Sequence, residues 1–261
     1  MEYEHILFTI EDGVATLTIN RPDKLNALSQ RSLAEMLDAI DEARDTGARA
    51  LLITGAGRAF CSGADLAPGA QGQRRRSDAG AGLEEGFNPL LERIVRLPIP
   101  VVAAVNGAAA GGGCGLALCA DIVIAARSAY FLQPFMNIGL VPDFGATWLL
   151  PRLAGKARAT AMMMLGDRIP AETAVDWGLI YRMVENEALE AEAAALAARL
   201  AAGPTVALGL AKQGIAAAMT QSLSETIAME RVNQRAAGRT ADHAEGVAAF
   251  LEKRKPAFRG R

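Results

Sequence analysis

Residues 97–120 read LPIPVVAAVNGAAAGGGCGLALCA. The stretch carries no charge, and its 24 residues are long enough to span a bilayer. Its composition points elsewhere. Five glycines, two prolines and Asn106 interrupt it, and large aliphatic side chains are few. Such a segment offers lipid only a weak apolar face. It reads instead as a buried strand at residues 101–105, a glycine-rich turn, and a buried helix at 114–120 opened by Gly111-Gly112-Gly113.

Upstream, strand and helix alternate. Residues 5–10 and 14–19 read as paired strands around Glu11-Asp12-Gly13, where Asp-Gly signals a tight turn. Residues 14–19, VATLTI, alternate with period two. Ser29 reads as the N-cap of a helix in which Leu33, Met36, Leu37 and Ile40 recur at helical spacing, with Gly47 as its stop. Residues 50–54 form a short apolar strand. This rhythm indicates an α/β architecture. Residues 67–82, rich in Gly, Ala, Gln and Arg, break the pattern and include Arg74-Arg75-Arg76. They read as a mobile surface loop, a lid, or a basic arm for phosphate. Residues 83–97 read as a helix stopped by Pro98 and Pro100.

Downstream, residues 121–125 read as a strand. Residues 144–153 and 156–165 read as short helices with a Pro or Gly break between them. From residue 188 the pattern is helical only, over 188–202, 204–219, 222–237 and 241–253. Gly203-Pro204 marks a boundary near residue 200. The expected organisation is a core over residues 1–200 and a helical region over 201–261. The tail from Lys253 to Arg261 is basic and reads as a solvated end or a phosphate contact.

Composition narrows the function. The 27 basic and 29 acidic residues leave a net charge of -2, which argues against nucleic-acid and anionic-membrane partners. Charged residues at 21% with so little net charge exclude a disordered chain. The hydrophobic share of 51% includes 53 alanines, so strong core-formers stand at ordinary abundance. Cys61, Cys114 and Cys119 show no CxxC spacing, and the only histidines are His5 and His243. No metal is therefore expected. The thiols read as reduced, in a cytoplasmic protein. The start lacks a basic segment before an apolar one, so no signal peptide is expected.

Generic nucleophile and phosphate motifs are absent: there is no GxSxG, HExxH or GxxxxGK[ST]. A Ser-His-Asp triad would have to recruit His5 or His243 from opposite ends of the chain. Cys61 has no neighbour to lower its pKa and reads as a core thiol. What remains are two glycine-rich turns, each after a buried strand: residues 59–66, AFCSGADL, and 106–114, NGAAAGGGC. They read equally as tight packing that excludes side chains, or as two N–H donors aimed at one oxygen.

Residues 20–28 (NRPDKLNAL), 59–66, 103–113, 138–143 (IGLVPD) and 249–254 (AFLEKR) together resemble the crotonase, or enoyl-CoA hydratase/isomerase, superfamily. They lie in order and cover nearly the whole chain. The resemblance implies a spiral of ββα units with a C-terminal helical trimerisation region. It implies an acyl-CoA thioester whose oxygen accepts N–H bonds from Ala64 and Gly112. Lys24, Leu25, Ala27, Ser62, Asp65 and Leu66 match positions lining the CoA groove. Phe250 and Lys253 match residues that a neighbouring subunit offers to the CoA nucleotide. A homotrimer or dimer of trimers is implied, with no cofactor beyond the CoA of the substrate.

The departures from the family pattern matter more. Its hydratases hold and activate water with two glutamates, and here those positions are Gly115 and Phe135. Neither residue can deprotonate water. Asp143 is the remaining acid, in GLVPDFGATW, and its apolar neighbours favour a raised carboxylate pKa. It reads as the cap of a helix starting near Phe144, as a general acid/base, or as both. A single carboxylate beside an oxyanion hole can move a proton between two carbons, which is isomerase chemistry. Residues 137–152 and 237–242 resemble one branch more closely, the ring-epoxide isomerases of aerobic phenylacetate breakdown. Three other readings stand beside it: a hydratase-type acyl-CoA enzyme, Asp143 as a nucleophile, as in the family's dehalogenases, and a catalytically silent acyl-CoA-binding protein.

Overall fold

The computed structural model describes residues 3–67, 78 and 80–261. Most of the loop at 67–82, including Arg74-Arg75-Arg76, lies outside them. Strands β1 (Ile6–Glu11) and β2 (Val14–Ile19) pair antiparallel. Asp12 and Gly13 between them have φ of 49° and 78°, the double left-handed turn that suits a two-residue hairpin. Helix α1 (Gln30–Asp45) begins at the expected cap, the Ser29 hydroxyl accepting from the Ser32 N–H.

Strands β3 (Ala50–Gly55), β4 (Ala59–Cys61), β5 (Val101–Val105) and β6 (Ala108–Ala110) follow, with α2 (Asn88–Arg96) between β4 and β5. The helix expected over 83–97 opens as a wider π-turn at Leu83–Phe87. Helix α3 (Gly112–Leu118) then leads to β7 (Ile122–Ala126) and β8 (Tyr130–Leu132). Residues 97–120 are thus two strands and a buried helix. Among the described residues no single helix is long and apolar enough to cross a membrane. One bent pair of segments, Asn186–Ala201 and Thr205–Ala218, meets the length and composition test at 104°.

Helix α4 (Ala146–Leu165) breaks at Gly155, as the expected pair of helices requires. It does not start at Phe144. Its N-cap is Gly145, which makes no side-chain cap, so Asp143 is not the capping residue. Phe144 and Gly145 both have positive φ and form a turn between Asp143 and the helix. Strand β9 (Ile169–Pro170), helix α5 (Ala171–Asp176) and strand β10 (Arg182–Val184) complete the sheets. The larger sheet runs β1-β2-β3-β5-β7-β10 and the smaller β4-β6-β8-β9. Helix α6 (Leu189–Ala201) covers β3 and β5. Strand β5 is buried along its whole length, as a central parallel strand should be.

Helices α7 (Thr205–Ala218), α8 (Leu223–Ala237) and α9 (Ala241–Glu252) end the chain. The basic side chains of the tail are exposed, as a solvated end would be, but its backbone is tied back to the fold. The Asp242 carboxylate accepts from the Arg259 N–H at 2.6 Å and the Gly260 N–H at 2.8 Å, and Arg49 donates to the Phe258 carbonyl at 3.2 Å.

Candidate active site

The two glycine-rich turns meet. The turn after β4 is stitched to residues 24–28. The Leu28 N–H donates to the Gly63 carbonyl at 2.8 Å, the Asp65 N–H to the Leu28 carbonyl at 2.9 Å, and the Ser62 N–H to the Leu25 carbonyl at 3.0 Å. This pattern turns the Ala64 N–H away from the ladder. In the second turn the Gly111 N–H donates to the Leu132 carbonyl, and Gly112 opens α3. The first amides of a helix have no partner within it. Among the described residues neither the Ala64 nor the Gly112 N–H has an acceptor in the chain.

Close approach forces glycine here. Gly63 has φ of 94°, and a Cβ on it would lie 2.8 Å from the Ala110 carbonyl oxygen and 3.3 Å from the Gly112 nitrogen. The two donors therefore face one small cavity of about 80 Å³, which Asp143 also lines. Its apolar walls include Phe87, Phe135, Ile138 and Leu140. Asp143 is half-buried, and its carbonyl accepts from the Ala146 N–H at 3.0 Å. Larger hollows of about 550 and 500 Å³ lie on the C-terminal helices, but they bring together no such donors and acid.

The other expected positions divide. Ser62 and Leu66 line the same cavity as Ala64, Gly112 and Asp143. Lys24, Leu25 and Ala27 sit beside it on the stitched loop, with Lys24 exposed and Ala27 buried. Leu25 and Asn26 hold positive φ, and the buried Asn26 amide fixes them by donating to the Ala56 and Ala59 carbonyls and accepting from the Arg21 N–H. Asp65 is a clamp. Its carboxylate binds the Arg21 guanidinium at 2.9 Å and the Ala67 N–H at 3.0 Å. Burial pushes its pKa up, but those partners outweigh burial and hold it below the ordinary carboxylate range. Phe250 lines one of the C-terminal hollows instead and is exposed, and Lys253 ends α9 with φ of 53°. Burial pushes the thiols of Cys61 and Cys114 up to about 12, so neither is a nucleophile at neutral pH.

A family model described as enoyl-CoA hydratase/isomerase matches residues 9–261. The chain belongs to the enoyl-CoA hydratase/isomerase family. It is 48% identical over 260 residues to the 1,2-epoxyphenylacetyl-CoA isomerase of Escherichia coli (strain K12), covering 99% of each chain. It is 37% identical over 264 residues to the crotonyl-CoA hydratase of Syntrophomonas wolfei, again 99% of each. The crystal structure of an enoyl-CoA hydratase from Bacillus anthracis superposes with a TM-score of 0.93 at 32% identity, over 99% of this chain and 100% of that one. The crotonase fold is thereby established.

The two positions expected to carry glutamate in a hydratase, Gly115 and Phe135, are both closely packed. Phe135 lies against Gly111, its Cζ 3.6 Å from where a Cβ on Gly111 would stand, and Phe144 packs against Gly115. Phe87 and Phe144 were not anticipated. Phe87 follows a stretch with no motif, and Phe144 is informative only once its left-handed backbone is seen.

Proposed function

We propose that the chain is an acyl-CoA isomerase that shifts a double bond, or opens a ring epoxide to an oxepin, through a thioester enolate. One observation carries this reading: a single carboxylate, Asp143, shares an apolar cavity with two unpartnered N–H groups. The Ala64 and Gly112 N–H groups bind the thioester oxygen and stabilise the charge that develops on it. Asp143 takes a proton from the carbon next to the thioester and returns one to a carbon further along the acyl chain. Water is not a reactant, which accords with Gly115 and Phe135 at the glutamate positions. The aromatic walls suit a flat, unsaturated acyl group. The similarity to a 1,2-epoxyphenylacetyl-CoA isomerase supports the ring substrate and a place in phenylacetate catabolism.

CoA arrives with the substrate, and no separate cofactor is needed. Its groove runs past Lys24, Leu25, Ala27, Ser62, Asp65 and Leu66. We further read the chain as a cytoplasmic homotrimer or dimer of trimers, in which Phe250 and Lys253 meet a neighbour's CoA. Exposed Leu223, Ile227, Val232 and Phe250 on α8 and α9 support an assembled state. Sedimentation at micromolar concentration tests it, and a monomer would overturn it.

The test of activity is an absorbance assay with a 3-enoyl-CoA beside a 2-enoyl-CoA control. Conjugated product without hydration of the control is expected. Asp143→Asn should abolish turnover and leave acyl-CoA affinity within about threefold, since the lost group acts on the transition state. Undiminished turnover in that variant would remove Asp143 from the mechanism. A trapped acyl-aspartate would instead make it a nucleophile.

A further inference from the structure

Gly115 stands where the family's hydratases carry their first glutamate, and the space that a side chain would need is taken. A Cβ on Gly115 would lie 2.4 Å from the Phe144 carbonyl oxygen and 2.8 Å from its Cδ1. The nearer of these is backbone and cannot rotate away. Phe144 is held in this place against its own preference. Its φ of 47° is a left-handed conformation that bulky residues rarely adopt, and such strain persists only where the surroundings over-determine it.

The surroundings do so from two sides. The Phe144 ring is buried and meets Phe87 edge-on, with centroids 5.5 Å apart and planes at 83°. Gly145, with φ of 74°, lies under Leu91 of α2, whose Cδ2 would be 2.9 Å from a Cβ there. Phe87 in turn approaches Gly112, its Cε1 3.4 Å from the position of a Cβ on that oxyanion donor. A chain of contacts therefore runs from the proposed oxyanion hole through Phe87 to Phe144, the residue beside Asp143.

We propose that Phe144 is a positioning residue that sets Asp143 in the cavity and fills the place where a hydrating water would be held. This rests on the isomerase reading and deepens it. The C2–H bond of a 3-enoyl thioester breaks, and its proton passes to the Asp143 carboxylate. The double bond moves from C3–C4 to C2–C3 as the same O–H breaks and a C4–H bond forms. With the acyl group over the cavity mouth and Phe144 behind, the protonated Asp143 exchanges with water more slowly than it delivers its proton. The proton lost from C2 is the one gained at C4.

The experiment is isomerisation of a 3-hexenoyl-CoA in D2O, quenched at low conversion, with deuterium at C4 of the product read by NMR and mass spectrometry. Wild-type product should keep hydrogen at C4. Phe144→Gly removes the ring yet suits the positive φ, and its product should carry solvent deuterium. Its kcat should fall roughly 100-fold with little change in KM, the loss expected when a reacting group is misplaced by about 1 Å. Phe144→Leu should restore part of both properties, which a general loss of folding would not do. Full deuterium at C4 in the wild-type product would overturn the proposal while leaving the isomerase standing, and so would an unlabelled product from a fully active Phe144→Gly. This wild-type measurement decides even if the glycine variant does not fold. Absence of any 2-enoyl product from the wild-type enzyme would remove the double-bond shift, and this inference with it, and leave the ring epoxide as the substrate to test.

Discussion

Gly63 places one of the two proposed oxyanion donors beside the other, and no other residue fits there. An added methyl group would meet the Ala110 carbonyl oxygen at 2.8 Å, in a backbone conformation that alanine already disfavours. Gly63→Ala should therefore displace the Ala64 N–H and lower kcat on the order of 100-fold, the usual effect of losing one such donor. Steady-state kinetics on a variant with an unchanged circular dichroism spectrum would check it, and wild-type kcat would show that the Ala64 amide is not used. Much of this residue-level site was legible beforehand. Ala64, Gly112, Ser62, Leu66 and Asp143 do share one cavity. Asp65 was legible only as a groove position, because its ion-pair partner Arg21 lies 44 positions earlier in the chain.

Helix α1 shows how an element's cap reaches into the rest of the fold. The Ser29 and Ser32 hydroxyls each lie 3.0 Å from His5 Nδ1, and the His5 N–H donates to Glu35 at 2.7 Å. The start of β1 is thereby tied to the first turns of α1. Burial, then Arg21, lowers the His5 pKa below its ordinary 6.5, and the Glu35 and Glu4 carboxylates oppose this less strongly. The folded state thus binds its proton more weakly than the unfolded one. The contribution is complete above 6.5 and is lost as pH falls below it. The melting temperature should accordingly decline from pH 7 towards pH 5 more steeply in the wild type than in His5→Gln; parallel curves would show that His5 carries no such linkage. Long elements such as α1 and α6–α9 were readable because hydrophobic period and caps repeat over many residues. Strands β4, β6, β8 and β9 were not, since two or three residues carry no period, and the helix expected at Phe144 starts later because two left-handed residues intervene.

At the scale of the whole molecule, Lys212 joins the C-terminal helices to the sheet. Its ammonium on α7 contacts Asp121 at 2.9 Å, the Ile94 carbonyl at 2.9 Å and the Ile99 carbonyl at 3.3 Å, three acceptors for three donors. These partners come from the end of α2, the approach to β5 and the approach to β7. The Asp121 carboxylate also accepts from the Val101 N–H at 2.7 Å. Burial raises the Asp121 pKa, and Lys212 pulls it only part of the way back. Charge at this site is therefore tolerated through its pairing. Lys212→Met should cost about 1–3 kcal/mol, because Asp121 loses its charged partner and the Ile94 and Ile99 carbonyls lose a donor. Asp121→Asn alone should destabilise less, since its amide can still accept from Val101. The double variant should lose clearly less than the sum of the two singles, because the unpaired charge is gone. Urea midpoints of the four proteins measure this coupling. Strict additivity would mean that the pair does not hold α7 to the sheet, and that the burial of α7 residues such as Gly209, where a Cβ would meet the Pro98 carbonyl oxygen at 2.3 Å, does so alone.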